Sequence, residues 1–421
     1  MKTVAFHTLG CKLNYAESST IIRRFVQKGY EIKGFKEVAD IYVIHSCMVT
    51  QQAERKCIFA LRQAKARNPE ARIAVIGCMP QLNAGRLQKE GADLLLVGND
   101  HKFDLADIIE SSGFPSNNKE QIFEPSWSSE GRTRTFFKIQ DGCDYFCGYC
   151  TIPLARGRSR SMTIKETITS IADATRDGCK ELVLTGVNIG DFGKKNNESL
   201  YQLLQEIKDL KHIKRIRLSS IEPDLVSDEI IQLFAENHSF MPHFHIPLQS
   251  GSDEILKSMG RKYNTSLFSD KVKEIKKFMP HACIATDIIT GYPGETGKLH
   301  EETLCYLEKT NISYMHVFTY SGRLNTRANK MNDHVSPEIK KIRSNQLHEL
   351  SEHKKHFFYM QNIGRKCDVL FESETTHAHI FGYTDNYIRV KTTTDPHFAN
   401  SFRHAEITGV ATDGICTVKI I

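Results

Sequence analysis

The chain has 421 residues, too many for one ordinary core, so two or three domains are expected. Its 40% hydrophobic and 25% charged residues are those of a soluble globular protein, and the net charge of +6 permits a nucleic-acid partner without demanding one. No run is long enough to span a bilayer, and MKTVAFHTLG lacks a signal-peptide pattern, so a cytoplasmic protein with no membrane partner is expected.

The first ~110 residues alternate apolar runs with helical stretches, the pattern of a parallel sheet covered by helices. The runs are 4–9, 41–44, 73–76 and 94–97, with helices expected over 16–27 and 50–66. Residues 111–134 are rich in Ser, Asn, Gly and Pro and read as a linker. A second alternating series follows, with strands expected at 135–140, 181–185, 213–219, 243–247, 283–289 and 314–318. Six strands fall short of the eight of a full barrel, so an open or partial barrel is expected. Ser336-Pro337 starts a helix with one apolar stripe of Ile339, Ile342, Leu347 and Leu350. The remainder has strand-like runs at 367–372, 387–391, 406–410 and 416–420, which suit a small all-β barrel. The fold class is therefore α/β, in four segments: 1–112, a linker at 113–132, 133–356 and 357–421.

Twelve cysteines in a reducing compartment point to metal binding or catalysis rather than disulfides. Cys143, Cys147 and Cys150 offer three thiolates within one loop. A zinc knuckle would want a fourth Cys or His nearby; no histidine lies close after Cys150, and Cys179 sits beyond an expected helix. A cubane iron–sulfur cluster held by three thiolates, with one iron open, is the better reading. Cys11, Cys47 and Cys78 each follow an apolar run. Ligands of open α/β sheets gather outside the carboxyl ends of the strands, so one site can draw on all three loops. Each taken singly is a small buried apolar residue; their common placement is what raises them to ligands. Cys57, Cys179, Cys283, Cys305, Cys367 and Cys416 lie inside helix or strand patterns and are assigned to packing.

The compact cysteine spacing, following a strand at the start of a barrel-like series, resembles the radical S-adenosylmethionine (SAM) enzymes. Further motifs resemble the methylthiotransferase family within that group. They are Gly10-Cys11-Lys12-Leu13-Asn14, His45-Ser46-Cys47-Met48-Val49-Thr50 and Gly77-Cys78, then the Arg156–Ser161 stretch, Thr185-Gly186-Val187-Asn188 and Ser219-Ser220-Ile221-Glu222-Pro223. His245 to Ser252 and Asp287 to Thr296 complete the set, and the chain ends in what resembles a TRAM domain, a small RNA-binding barrel. The resemblance implies two 4Fe-4S clusters and S-adenosyl-L-methionine as cofactors. Cys143, Cys147 and Cys150 would hold the cluster that cleaves the cofactor, and Cys11, Cys47 and Cys78 an auxiliary cluster that presents sulfur. The cofactor pocket it implies draws on Gly186, Asn188, Glu222, Gln249, Ser250, Asp287, Gly291, Pro293, Gly294 and Arg156. An electron donor of flavodoxin or ferredoxin type and a sulfur source would be partners, with the tRNA anticodon stem-loop as substrate.

Thr8 to Asn14 is similar to the branch that methylthiolates carbon 2 of threonylcarbamoyladenosine in tRNA. Isopentenyladenosine in tRNA and an aspartate of a ribosomal protein are the alternative acceptors. An iron–sulfur RNA-binding sensor is the alternative of another class, disfavoured because a sensor needs no cofactor-pocket motifs. The chain departs from the family pattern at His45-Ser46, where Asn-Thr is usual, at Thr319, where Pro is usual, and at Asn325, where Gly is usual. An Asn can take the left-handed conformation that Gly favours, at some cost.

Residues 356–421 hold six Lys or Arg against seven Asp or Glu, so RNA binding there would need a local patch or stacking. Tyr383, Tyr387 and Arg389 are the candidates, with strand packing as the plainer role for each tyrosine. The preceding helix is more basic, through Lys340, Lys341, Arg343, Lys354 and Lys355. Arg156, Arg158 and Arg160 crowd beside the cysteine loop, where guanidinium groups suit a carboxylate or a phosphate backbone.

Overall fold

Continuous apolar runs such as Ile41-Tyr42-Val43-Ile44 bury both faces, which suits a parallel sheet between helical layers. In the computed structural model, which describes residues 2–48, 50–91, 93–111, 113, 122–128, 133–176, 178–210, 212–376 and 378–421, they form a five-stranded parallel sheet. Its order is Glu31–Lys33, Thr3–Thr8, Ile41–Ser46, Arg72–Gly77, Leu95–Val97. The edge strand Glu31–Lys33 was not expected; its residues are largely exposed and carry no apolar run. Helices Lys12–Gln27, Gln51–Arg67 and Cys78–Gln88 follow the first, third and fourth strands in chain order.

The linker expected at 113–132 lies mostly outside the described residues, as does Val49 of the second cysteine motif. Its described part includes a short strand, Ser126–Trp127, antiparallel to Arg134–Lys138. Arg134–Lys138 opens the second series and pairs in parallel with Glu181–Thr185, which pairs with Arg215–Leu218. His243–His245, Cys283–Thr290 and Tyr314–Thr319 form a parallel group of three. Isolated bridges Ile216 to Phe240 and Ser220 to His245 join the groups into a six-stranded parallel partial barrel. Phe137, Ile139, Leu182 and Leu184 enter the core beneath the outer helices. By alternation Phe136, Lys138 and Val183 face the other way, into the lumen. There Ala16 packs on Phe136 and Val183, so helix Lys12–Gln27 of the first domain also walls the second.

Helix Pro337–Met360 is capped by Ser336, whose Oγ accepts from the Ile339 amide. Its apolar stripe is buried only in its second half, where Leu347 is in the core and Leu350 packs against it. Ile339 and Ile342 are 44% and 60% exposed, whereas Arg343, Leu347 and Ser351 are buried. Polar anchors turn the helix: Ser351 Oγ meets both backbone polar groups of Met315, and Arg343 donates to the Glu295 carboxylate.

The C-terminal residues form a closed five-stranded barrel, Lys366–Thr375, His379–Thr384, Arg389–Thr393, Cys416–Ile420, Phe402–Val410. Tyr383 and Tyr387 do not present a platform for RNA. They stack on each other at 4.7 Å and dock under the central barrel, with Arg134 over Tyr383 and Arg217 over Tyr387. Arg134 also donates to the Tyr387 hydroxyl (3.0 Å) and to Glu372 (2.7 Å). Aromatic rings over guanidinium groups bury area and compensate charge together, which suits an interdomain joint.

Candidate active site

The compact cysteines lie in the loop after Arg134–Lys138, and its path is fixed by backbone contacts. Gly142 has φ +72°, and a Cβ there would lie 2.0 Å from the Arg158 carbonyl, so only glycine fits. The Cys143 amide donates to Gly157, and Gly148 is held between Met259 and Ala328. Donors converge on the sulfurs: the Tyr145 amide on Cys143 and the Ile152 amide on Cys150, each at 3.4 Å, and Arg261 on Cys147 at 2.9 Å. Burial pushes the Cys143 and Cys150 thiols up to about 12, and each feels the charge of a neighbouring cysteine of the triad. All twelve cysteines are free. Three soft thiols ringed by N–H donors suit a thiolate-ligated cluster, whose binding displaces the protons that burial retains.

The scattered cysteines are gathered as the sheet argument required. Gly10, at φ +100°, abuts Cys47: an added Cβ would meet its Cβ at 2.6 Å and its Sγ at 3.0 Å. Gly77, at φ +95°, abuts His45 and the Ser46 carbonyl. Asn14 Nδ2 ties the two loops together by donating to the carbonyls of Leu9 (2.7 Å) and Ser46 (3.2 Å). Cys11 Sγ lies 3.7 Å from Asn14 Oδ1, and Asn99 Nδ2 lies 3.7 Å from Cys78 Sγ. That same Asn99 amide donates to Ala155 at 2.8 Å, in the short helix Ile152–Arg156 after the compact triad. Cys11 lies within electrostatic reach of Cys78 and of Arg156 in the central domain, so three thiols from three strand ends form a donor set chemically suited to a second thiolate-bound group.

Arg156 departs from its expected role. It is buried, and its guanidinium is occupied by Glu17 (3.1 Å twice), Asp141 (2.9 Å) and Asn14 (2.8 Å), so it has no fork left for a cofactor carboxylate. Arg160 donates to Asp141, while Arg158 lies exposed over Phe146. Ser250 is likewise internal, meeting Thr303 Oγ1 and the Ser252 amide. Gly291, at φ +73°, is crowded by the Lys340 stem, 2.4 Å from an added Cβ. Pro293 is buried, and Gly294 donates to Asp333.

The other expected pocket residues converge on the barrel rim. The carbonyl Oε1 of Gln140 accepts from the amides of Val187 and Asn188 (2.9 Å each), and Gly186 lets the loop approach it. Asn188 is buried with Nδ2 on Asp191. Glu222 pairs with Arg261; burial, resisted by that arginine, pushes its carboxyl up to about 7. Asp287 accepts from His245 Nε2 at 2.9 Å, while His245 Nδ1 meets Ser220 at 2.8 Å. His316 lies close to the pair, all three ligand atoms within 4.8 Å of one another. A cavity of about 650 Å³ opens here, bounded by Thr50, Gln51 and Arg55 from the first domain, Tyr149 from the cysteine loop, and Gln249 and Asp287 from the barrel. Its size is that of a small-molecule or nucleoside site.

Arg261 escaped the sequence reading. It links Cys147, Glu222 and Tyr263. The only local signal is a basic residue just past the left-handed glycine cap of helix Asp253–Met259, which is common in proteins.

Residues 3–98 match the model described as Uncharacterized protein family UPF0004, and residues 137–306 match the Radical SAM superfamily. The chain is 37% identical to the threonylcarbamoyladenosine tRNA methylthiotransferase MtaB of Aquifex aeolicus, over 92% of this chain and 96% of that one. It is 32% identical to the tRNA-2-methylthio-N(6)-dimethylallyladenosine synthase of Staphylococcus haemolyticus, over 91% and 78%. Among solved structures, the radical S-adenosylmethionine methyltransferase TsrM of Kitasatospora setae shares the fold, with a TM-score of 0.56 over 78% of this chain and 77% of that one, at 13% identity. The chain belongs to the radical SAM family of threonylcarbamoyladenosine tRNA methylthiotransferases.

Proposed function

We propose that this protein is a cytoplasmic enzyme that installs a methylthio group on carbon 2 of threonylcarbamoyladenosine beside the tRNA anticodon. As a radical SAM protein it uses S-adenosylmethionine and a 4Fe-4S cluster, for which Cys143, Cys147 and Cys150 are the ligands we assign. Cys11, Cys47 and Cys78 are assigned to a second 4Fe-4S cluster. Once bound, these groups supply a carbon-centred radical for hydrogen abstraction and the sulfur to be transferred. Residues 1–112 would carry the sulfur-presenting site, 133–356 the radical chemistry and 357–421 an RNA-docking barrel. A flavodoxin- or ferredoxin-like donor would supply electrons, and an external source would replace the sulfur.

The chain's own groups have definable work. Arg261 holds positive charge beside Cys147 while orienting Glu222 on the rim. Asn188, Glu222, Gln249 and Asp287 are the polar groups we assign to the methionyl and adenosyl parts of the cofactor. The walls given by Thr50, Gln51, Gln52, Arg55 and Tyr149 would restrict water around the reacting carbon.

The observation that carries this reading is the packing of the scattered triad against the helix that follows the compact triad, through Asn99 and Ala155. A radical generator alone would not need it. Nucleoside mass spectrometry tests the reading. A strain lacking its own enzyme should regain 2-methylthio-threonylcarbamoyladenosine when this chain is expressed. Absence of that mark, or its appearance only on dimethylallyladenosine, would overturn it.

A further inference from the structure

Lys12, one residue after Cys11, has an environment that neither cluster site explains. Its side chain is half-buried and makes no hydrogen bond or ion pair among the described residues. Its amine is largely removed from bulk water and lies within electrostatic reach of Tyr387, Arg217, Arg134 and Glu181, the floor of the barrel lumen. His243 and His316, from two further strands, feel its charge as well.

The anions at this floor are already committed. Glu181 is held by Arg217 at 2.9 Å and by Arg215 at 3.6 Å, and Glu372 by Arg134 at 2.7 Å. Lys12 therefore remains uncompensated. Buried polar atoms around it lack partners too: Arg217 Nη1, a donor, and both ring nitrogens of His243, one of them a donor in the neutral ring, have no hydrogen-bond partner among the described residues. Buried polar groups are nearly always paired, so several orphans together mark the place of a missing acceptor. One strand pair leads from the rim cavity toward this floor. His316 lies one residue from Val317 in the wall of the rim cavity, and pairs in register with Asp287.

The relatives differ in what must occupy such a space. A dimethylallyl group is apolar, and seating it here would leave the ammonium desolvated and unpaired. A threonylcarbamoyl group ends in a carboxylate beside a hydroxyl, both acceptors. We infer that Lys12, backed by Arg217 and His243, is the seat of that carboxylate and makes the lumen selective for an anionic N6 substituent. This inference rests on the proposed function and names the group that decides its specificity.

The test uses full-length, cluster-reconstituted protein and two anticodon stem-loop RNAs. One carries threonylcarbamoyladenosine; the other has its carboxylate converted to the primary amide. For the unsubstituted protein, KM for the amide should exceed that for the acid by about 10- to 100-fold, the worth of a charge-assisted contact. Lys12→Met should raise KM for the acid by a similar factor, leave the amide nearly unchanged and so collapse the ratio, while Lys12→Arg keeps a preference for the acid. Iron content and 5′-deoxyadenosine release, measured in parallel, separate a damaged Cys11 loop from lost recognition. Equal use of acid and amide by the unsubstituted protein overturns the inference without any variant, as does an unchanged ratio in Lys12→Met. Failure to modify either RNA, with activity on dimethylallyladenosine, would instead overturn the proposed function.

Discussion

Arg156, six residues after Cys150, grips Glu17, six residues after Cys11, through two hydrogen bonds of 3.1 Å. The pair ties the helix that follows the compact cysteine set to the helix that follows Cys11. Lys102 (2.6 Å) and Lys138 (3.1 Å) complete the cage around Glu17. Burial alone would raise the Glu17 carboxyl, but these three cations hold it well below the usual range.

Removing one member of such a cage leaves charge stranded in a dry interior. Arg156→Met should therefore cost about 3 kcal/mol or more of stability. The loss should show as a lower denaturation midpoint and as easier proteolytic cleavage between the first two domains. Arg156→Lys should recover part of it, since one cation returns without the two-pronged geometry. A midpoint unchanged in Arg156→Met would refute a structural role for the pair.

The auxiliary site makes a metal prediction. Replacing Cys11, Cys47 and Cys78 together by Ala should leave about half the iron of the unsubstituted protein, because each cubane site holds the same number of irons. Cys57→Ala is the control. Its thiol is buried and raised to about 12 by that burial, next by Glu54, and it packs in the core, so iron should not change. Full iron in the triple variant would sink the second cluster.

The strands and both cysteine sets were legible because parallel strands bury both faces and leave unbroken apolar runs, with ligands clustering just past their carboxyl ends. Glu181–Thr185 and Cys416–Ile420 match their expected limits. What was illegible depends on docking between domains. Arg156 looked like a cofactor ligand because its neighbours in sequence are cysteines, yet its partner Glu17 comes from another domain, and no periodicity encodes that contact. Tyr387, a candidate for RNA stacking with strand packing as its plainer role, lies instead against Arg217 of the central barrel, a contact no local pattern encodes. Of the helical stripe, Leu347 and Leu350 face the core as expected, but Ile339 and Ile342 stay exposed, because buried Arg343 and Ser351 fix the helix once their partners are in place.

Asn325 occupies the left-handed region at φ +65°, as expected for a position where glycine is usual, and it is exposed. Backbone strain can thus be read there without packing effects. Asn325→Ala should destabilise by about 1 kcal/mol, since alanine lacks the polar side chain that makes this conformation tolerable. Asn325→Gly should stay within about 0.5 kcal/mol, relief of strain being offset by a more flexible unfolded chain. Chemical denaturation of the two variants decides it; an alanine variant as stable as the parent would show that the turn carries no such cost.

Glu181 gives the fold a defined acid limit. Burial would raise its carboxyl, yet Arg217, Arg215 and Arg134 together bring it from its usual 4.5 down to about 2. A depressed carboxylate stabilises the fold above its unfolded pKa, so this contribution is complete above about pH 4.5 and is lost as pH falls toward 2. The shift corresponds to on the order of 3 kcal/mol. Glu181→Gln should remove that contribution at pH 7 and leave Arg217 and Arg215 buried without a counter-charge, a loss of about 3–5 kcal/mol. Urea midpoints at pH 7, 4 and 3 test both points. The parent should lose stability between pH 4 and 3 more steeply than the variant, because only the parent has this carboxylate to protonate. Parallel acid limbs would mean that the ion pairs of Glu181 contribute nothing, and would weaken the argument that it neutralises the barrel floor and leaves Lys12 as the open charge.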